Sequence, residues 1–407
     1  LILRHASFVL HFIPCIPPML LQGLNFERAR LLWLPQFDRI LDALEHPKGL
    51  EVVSFIEGNA ALELYLQLRP ERYEQVEKLC KEGRLRLSCW YITPDFAQHD
   101  QEILIRNLGL GMAIANVFGQ YPKVAFLSAD KNLPPLLPQL LRSAGIEALL
   151  LPYTDGALQS QWKSPDGTEL WLARYGVTFN DIATPRRKLA QEAMIRHLPL
   201  IYPLYGDSVD TVQSTVHNAR HTLPTDDVAQ STFDSYLHAL RNSREIDVLQ
   251  PFSPRPYQYK GFSTAFNDLI AAEHNFAEGR ESRLSNPQKL ILYGWKQNFV
   301  RDAEDYALAL GSSLRGAPSD DFVRVNNSNF QLTSLKLPDE GSGLIVRGEN
   351  KTDIAQWVKL SLRRKFKRCD VTNVLEKPSG GALPIDDNGA IYFQAGARRI
   401  LTFHFHD

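Results

Sequence analysis

From residue 8 to residue 151 short β-prone runs alternate with helical stretches, and this alternation constrains the fold more than any other feature of the chain. FVLHFI, residues 8 to 13, reads as a first strand. A proline-broken PCIPPMLLQ follows, then an amphipathic helix from Glu27 to Glu45 that turns Leu31, Leu34, Ile40 and Leu41 inward. Leu50 to Ile56 is a second strand, Ala60 to Leu68 a helix, and Pro70-Glu71-Arg72 opens another helix, with Pro at its first turn, that runs to Lys81 and closes at Gly83. Leu85 to Trp90 is a third strand, Gln101 to Phe118 a helix, Val124 to Leu127 a fourth strand, and a further helix ends at Gly145 before the strand Ala148 to Leu151. Strands spaced by helices pair in parallel through helical crossovers, so the class is α/β with a barrel-like parallel sheet. In such a sheet ligands bind at the loops after the strands' C-terminal ends. The loop Ser128-Ala129-Asp130-Lys131-Asn132-Leu133 is therefore a place to look for chemistry.

The pattern changes further on. Gln161 to Ala173 reads as a hairpin turning at Pro165-Asp166-Gly167. Leu198 to Leu204 is a buried run ending in Tyr205-Gly206-Asp207-Ser208, and Val209 to His221 and Gln230 to Arg241 read as helices. A proline-rich Phe252 to Tyr259 marks a boundary. Thr264 to Ala277 and Pro287 to Leu310 then form a helical pair, and from Phe322 short alternating strands with Gly, Asn and Asp turns imply a β-sandwich. The expected domains are a β/α unit over 1–250, a helical hairpin over 251–315 and a sandwich over 320–407.

A formal charge of −1 argues against a surface built for nucleic acid, and no apolar run has the length of a membrane span. Cys15, Cys80, Cys89 and Cys369 are scattered without a C-x-x-C pair, which suits a reducing compartment, so the expected location is the cytoplasm. Candidate ligand contacts cluster after the third strand. Trp90 and Tyr91 could stack on a sugar ring, although aromatics at such positions are more often core, and Asp95, His99 and Asp100 would face the pocket mouth. His217 and His221 have metal-capable i, i+4 spacing but read as a solvated helix face. His404 and His406 read as edge residues, and RRKFKR (363–368), five cations in six residues, as an exposed edge strand.

Several segments in order carry a resemblance: RPERYEQVEKLCKEGRLRLSCWYITPD, EILIRNLGLGMAIANVFG, YPKVAFL, LPQLLRSAGI and, near the C-terminus, LTSLKLPDEGSGLIVRGEN. They resemble glycoside hydrolase family 38, the zinc-dependent retaining α-mannosidases, and within it the bacterial branch that includes mannosylglycerate hydrolases. Family members are longer, and the text of their large sandwich region is missing here near Gly311 to Asp321. The resemblance implies a mannoside ligand, a zinc ion, an Asp nucleophile and a second carboxyl about 5 Å away. It also leaves the oligomeric state open. Carried over position by position, the implied zinc ligands fall on Cys15, Pro17 and Arg301. Cysteine thiolate binds zinc, but proline has no donor side chain and arginine is a cation. The nucleophile position falls on Ala129 with Asp130 one residue off, and Asp207 matches the acid/base carboxylate. The expectation is an α-mannosidase-like scaffold that acts on or binds α-mannosides, with zinc ligands and nucleophile lost and zinc not bound. The alternative is a non-catalytic carbohydrate-binding or interaction protein.

Overall fold

The computed structural model describes residues 7–16, 26–46, 49–56, 58–94, 96, 101–128, 133–154, 157–178, 182–192, 196–204, 208–243, 250–252 and 323–407. Apart from residues 251–252, the helical hairpin expected over 251–315 lies outside the described residues. The N-terminal unit carries strands β1 (Val9–Ile16), β2 (Val53–Phe55), β3 (Leu85–Arg86), β4 (Val124–Phe126), β5 (Ala148–Pro152), β6 (Gln159–Lys163), β7 (Glu169–Val177), β8 (His197–Pro203), β9 (Asp227–Gln230) and β10 (Gln250–Phe252). Its helices are α1 (Phe26–Glu45), α2 (Ala60–Leu68), α3 (Tyr73–Lys81), α4 (Gln101–Val117), α5 (Leu137–Ser143), α6 (Ala183–Glu192), α7 (Ser208–Thr222) and α8 (Phe233–Asn242).

The parallel path runs β4-β5-β7-β8-β1-β2-β3, and β9 also pairs with β1. The expected hairpin is β6–β7, antiparallel, with Gly167 at φ +87° in its turn. Leu10, Phe12 and Ile16 of β1 pack outward on the helices, while Ile13 and Cys15 face an apolar interior with Ile56, Val124, Phe126, Leu150 and Ile201.

β1 continues through Pro14, where the sequence suggested a break. Cys15 accepts from Leu204 N on the β8 side and Phe12 from Ser231 N on the other, so alternate residues point to opposite neighbours. Pro14 thus points to the side where β9 stops (Phe12↔Gln230) and β2 begins (Cys15↔Ser54). Its missing N–H falls at this changeover and costs the sheet no ladder bond. β9 and α6 gave no readable signal, being four residues long in one case and polar in the other.

At the floor of the interior His11 lies between Ser231 Oγ (3.0 Å from Nδ1) and His197 (3.1 Å from Nε2), with Tyr236 edge-on at 5.2 Å. Burial, and then the neighbouring His197, lower the His11 pKa from 6.5 to about 4. The unfolded chain therefore binds this proton first as pH falls, and stability is lost between pH 6.5 and 4, about 3 kcal/mol in full. Denaturant titrations at pH 7 and pH 5 should show the loss in the wild type and a flatter dependence in His11→Asn.

The C-terminal unit is a sandwich. One sheet is β11 (Val323–Val325), β14 (Gln356–Leu362) and β17 (Ala390–Ala395); the other, in order, is β12 (Phe330–Lys336), β13 (Leu344–Asn350), β18 (Ile400–His406), β15 (Arg368–Thr372) and β16 (Pro378–Leu383). Phe330, Val346, Leu360, Ile391, Phe403 and Phe405 fill the space between them. Two edge expectations are corrected. Residues 363–367 form the turn into β15, which is paired on both sides, and β18, which carries His404 and His406, lies between β13 and β15. The run has charge enough for an edge, but pairing is decided by distant strands.

The two units meet along α4 and α5. Arg347 of β13 donates to both carboxylate oxygens of Glu102 at 2.6 and 2.8 Å, to Val374 O at 3.1 Å and to Thr402 Oγ1 at 3.0 Å. Ile400 N donates to Gln139 Oε1 and Val374 N to Ser143 Oγ, and the side chains of Val374 and Ile400 enter the core beneath α4 and α5.

Candidate active site at the strand ends

The C-terminal ends of the parallel strands are held in a ring by the first residue of each loop. Leu127 N donates to Leu150 O, Tyr153 N to Tyr175 O, Thr178 N to Ile201 O and Leu204 N to Cys15 O, which steps from β4 through β5, β7 and β8 to β1. β1 hands on to β2 and β2 to β3 by strand pairing. The return from β3 to β4 is made by a side chain: Trp90 Nε1 donates to Phe126 O at 3.1 Å.

This sets the role of two residues expected to stack on sugar. Trp90 and Tyr91 are each 1% exposed. The Trp90 indole closes the ring of strands, and Tyr91 donates its hydroxyl to Glu63 at 2.8 Å. Their rings belong to the core and present no face to a ligand, which corrects the stacking expectation. β3 ends at Arg86, so Trp90 and Tyr91 fall in the segment that follows it. If the indole N–H is what matters, Trp90→Phe should destabilise the fold by roughly 1–3 kcal/mol despite keeping an aromatic ring. A denaturation midpoint matching the wild type would return Trp90 to the list of ligand contacts.

The loop 88–92 is fixed by two buried amides that the sequence did not single out. Asn59, after β2, donates to Ser88 O (2.7 Å) and Gly111 O (2.9 Å) and accepts from Ser88 N (2.9 Å). Asn107, on α4, accepts from Tyr91 N and Ile92 N at 3.0 Å each and donates to Ile92 O at 2.8 Å. Both are 0% exposed. A buried amide that satisfies the backbone of a neighbouring loop looks in sequence like any polar residue beside an element, so its role is decided by which backbone it reaches.

Cys15 is the one implied zinc position among the described residues. Its thiol is 0% exposed, donates to Ile13 O at 3.2 Å, and burial pushes its pKa well above the usual range. Ser54, its neighbour in register, is 2% exposed with no partner for Oγ among the described residues. A hydroxyl and a protonated thiol in an apolar interior are a poor donor set for zinc. No group of three or more His, Cys, Asp or Glu among the described residues is placed to hold a metal ion. Asp95, His99, Asp130, Asp207, Pro17 and Arg301 lie outside the described residues.

Residues 329–403 match the family model described as "Glycosyl hydrolases family 38 C-terminal beta sandwich domain". A "Putative mannosylglycerate hydrolase" of Halalkalibacterium halodurans is 29% identical over 179 residues, 39% of this chain and 20% of that protein. An α-mannosidase structure from Enterococcus faecalis V583 superposes with a TM-score of 0.57 at 16% identity, covering 98% of this chain and 55% of that one. A second structure, of a glycosyl hydrolase family 38 protein from Enterococcus faecalis, gives a TM-score of 0.54 at 16% identity, covering 98% and 52%. The chain thus spans about half the length of these structures, and they share its fold. Residues 329–403 are thus similar to the C-terminal sandwich of glycoside hydrolase family 38, part of the chain is similar to a mannosylglycerate hydrolase relative, and the two Enterococcus structures share its fold.

Proposed function

We propose that this chain binds α-mannosides at its strand-end loops and no longer hydrolyses them, with no catalytic zinc held at those strand ends. The observation that carries this reading is Cys15. At the end of β1, where the family resemblance implies a zinc ligand, the side chain is a sealed thiol bonded to its own strand. The sequence supports it further, with Pro17, Arg301 and Ala129 at the other ligand positions and the nucleophile position. Groups of this kind act as a unit, so losing several removes nearly all of the rate while the shaped pocket persists. The mannoside is taken from the relatives, described as a mannosylglycerate hydrolase and an α-mannosidase. The four cysteines, all free and buried, support a cytoplasmic location.

The test is calorimetric titration with methyl α-mannoside beside hydrolysis of an aryl α-mannoside, with and without added zinc, in the wild type and in Asp130→Ala. Saturable binding without turnover is expected in every arm. Zinc-dependent turnover abolished by Asp130→Ala would show that Asp130 has slipped into the nucleophile's place and that hydrolysis survives. Failure to bind the mannoside would sink the binding half of the proposal.

A further inference from the structure

α7 turns Val209, Val212, Val216 and Ala219 to the core, and its outward face carries His217 and His221. Both imidazoles are exposed, and their rings meet edge to face with centroids 4.5 Å apart and Nε2 atoms 3.1 Å apart. The i, i+4 spacing alone is common on solvated helices; the structure adds that the two Nε2 atoms lie 3.1 Å apart, within hydrogen-bond distance of each other. Zinc–nitrogen bonds are about 2.0–2.1 Å, so two nitrogens bound to one ion at right or tetrahedral angles lie roughly 2.8–3.4 Å apart. The pair already has that separation. By contrast, His404 and His406 stack on β18 with their Nε2 atoms engaged by Ser342 O and by Asp370.

We infer that His217 and His221 form a two-histidine surface site for a first-row divalent ion such as Zn²⁺, Ni²⁺ or Cu²⁺, bridging successive turns of α7. Imidazole nitrogen selects these ions over Mg²⁺ and Ca²⁺, which prefer oxygen. Both rings bind through Nε2 lone pairs, so the proton between them moves to the solvent-facing Nδ1 and each ring becomes the Nδ1–H tautomer. Water completes the coordination. Acid weakens binding because protons compete for the same lone pairs.

The experiment is calorimetric titration of the full chain, freed of metal by chelation, with NiCl₂, ZnCl₂ and MgCl₂ in turn, for wild type, His217→Ala, His221→Ala and His404→Ala. One-to-one binding of nickel and zinc, with none of magnesium, is expected in the wild type and in His404→Ala. Either α7 variant should lose at least roughly tenfold in affinity, the lower end of what losing even an outer-shell partner costs. Both substitutions are on the solvent face, and unchanged far-UV circular dichroism confirms that the variants fold. Absence of one-to-one binding in the wild type, or equal binding in the α7 variants, overturns the site.

Discussion

Glu102→Gln is expected to destabilise the protein by about 3–5 kcal/mol, because it leaves the guanidinium of Arg347 buried without its counter-charge. Arg347 is 1% exposed and Glu102 5%, so water cannot replace the lost partner. Burial favours the neutral acid, but Arg347 and then Arg106 outweigh it, and the Glu102 pKa falls from 4.5 to about 2. The sign follows. The carboxylate contributes fully above pH 4.5, and the contribution is lost as pH falls from 4.5 towards 2. In Glu102→Gln that acid step should shrink. A double variant, Glu102→Leu with Arg347→Met, should recover most of the loss, since packed apolar side chains of similar volume replace buried ion pairs at little cost. Denaturant unfolding of the wild type, Glu102→Leu, Arg347→Met and the double variant gives the coupling directly. A single-variant loss below about 1 kcal/mol would mean that the two units are joined elsewhere.

Gly111→Ala should be as damaging, for a steric reason. A Cβ at Gly111 would lie 2.2 Å from Trp90 C, 2.3 Å from Cys89 O and 2.5 Å from Tyr91 N. All three are backbone atoms of the loop that closes the ring of strands, so relief requires moving that loop off Asn59 and Asn107. The cost should reach or exceed the upper end of the roughly 1–3 kcal/mol typical of overpacked cores. Gly109→Ala, two residues earlier on the same helix, is the control. Its Cβ would meet only Leu375 Cδ2 at 3.9 Å, and alanine should gain up to about 1 kcal/mol there from helix propensity. Opposite signs at 109 and 111, measured by thermal and denaturant unfolding, are the expected result. Equal effects would place the closure of α4 on the strand-end loop in doubt.

Both predictions fall inside the segments that carry the family resemblance, which explains what that resemblance consists of. EILIRNLGLGMAIANVFG contains Glu102, Arg106, Asn107 and Gly111, and LTSLKLPDEGSGLIVRGEN contains Lys336, Arg347 and Asn350. Lys336 is bonded to Glu376 and Asp339, and Asn350, 0% exposed, donates to Ile354 O, Ala395 O and Gly396 O. These are joints of the scaffold. Reading Trp90 and Tyr91 as ligand contacts went astray for the same reason. Aromatics at a strand end look alike in sequence whether they stack on a ligand or close a barrel.

Elements whose cause lies within a few residues were legible from the chain alone. Ala60–Leu68 formed as a helix, the chain restarted at Pro70, Gly83 and Gly145 ended helices at positive φ, and Pro165-Asp166-Gly167 turned the hairpin. Periodicity, proline and glycine act locally, so these signals survive without knowledge of neighbours. Only the tertiary structure decided that Pro14 falls where β1 changes partners, that Trp90 reaches Phe126, and that Glu102 meets Arg347 across 245 residues of chain. Each of those depends on which distant backbone arrives beside it, and no local pattern in the sequence records that arrival.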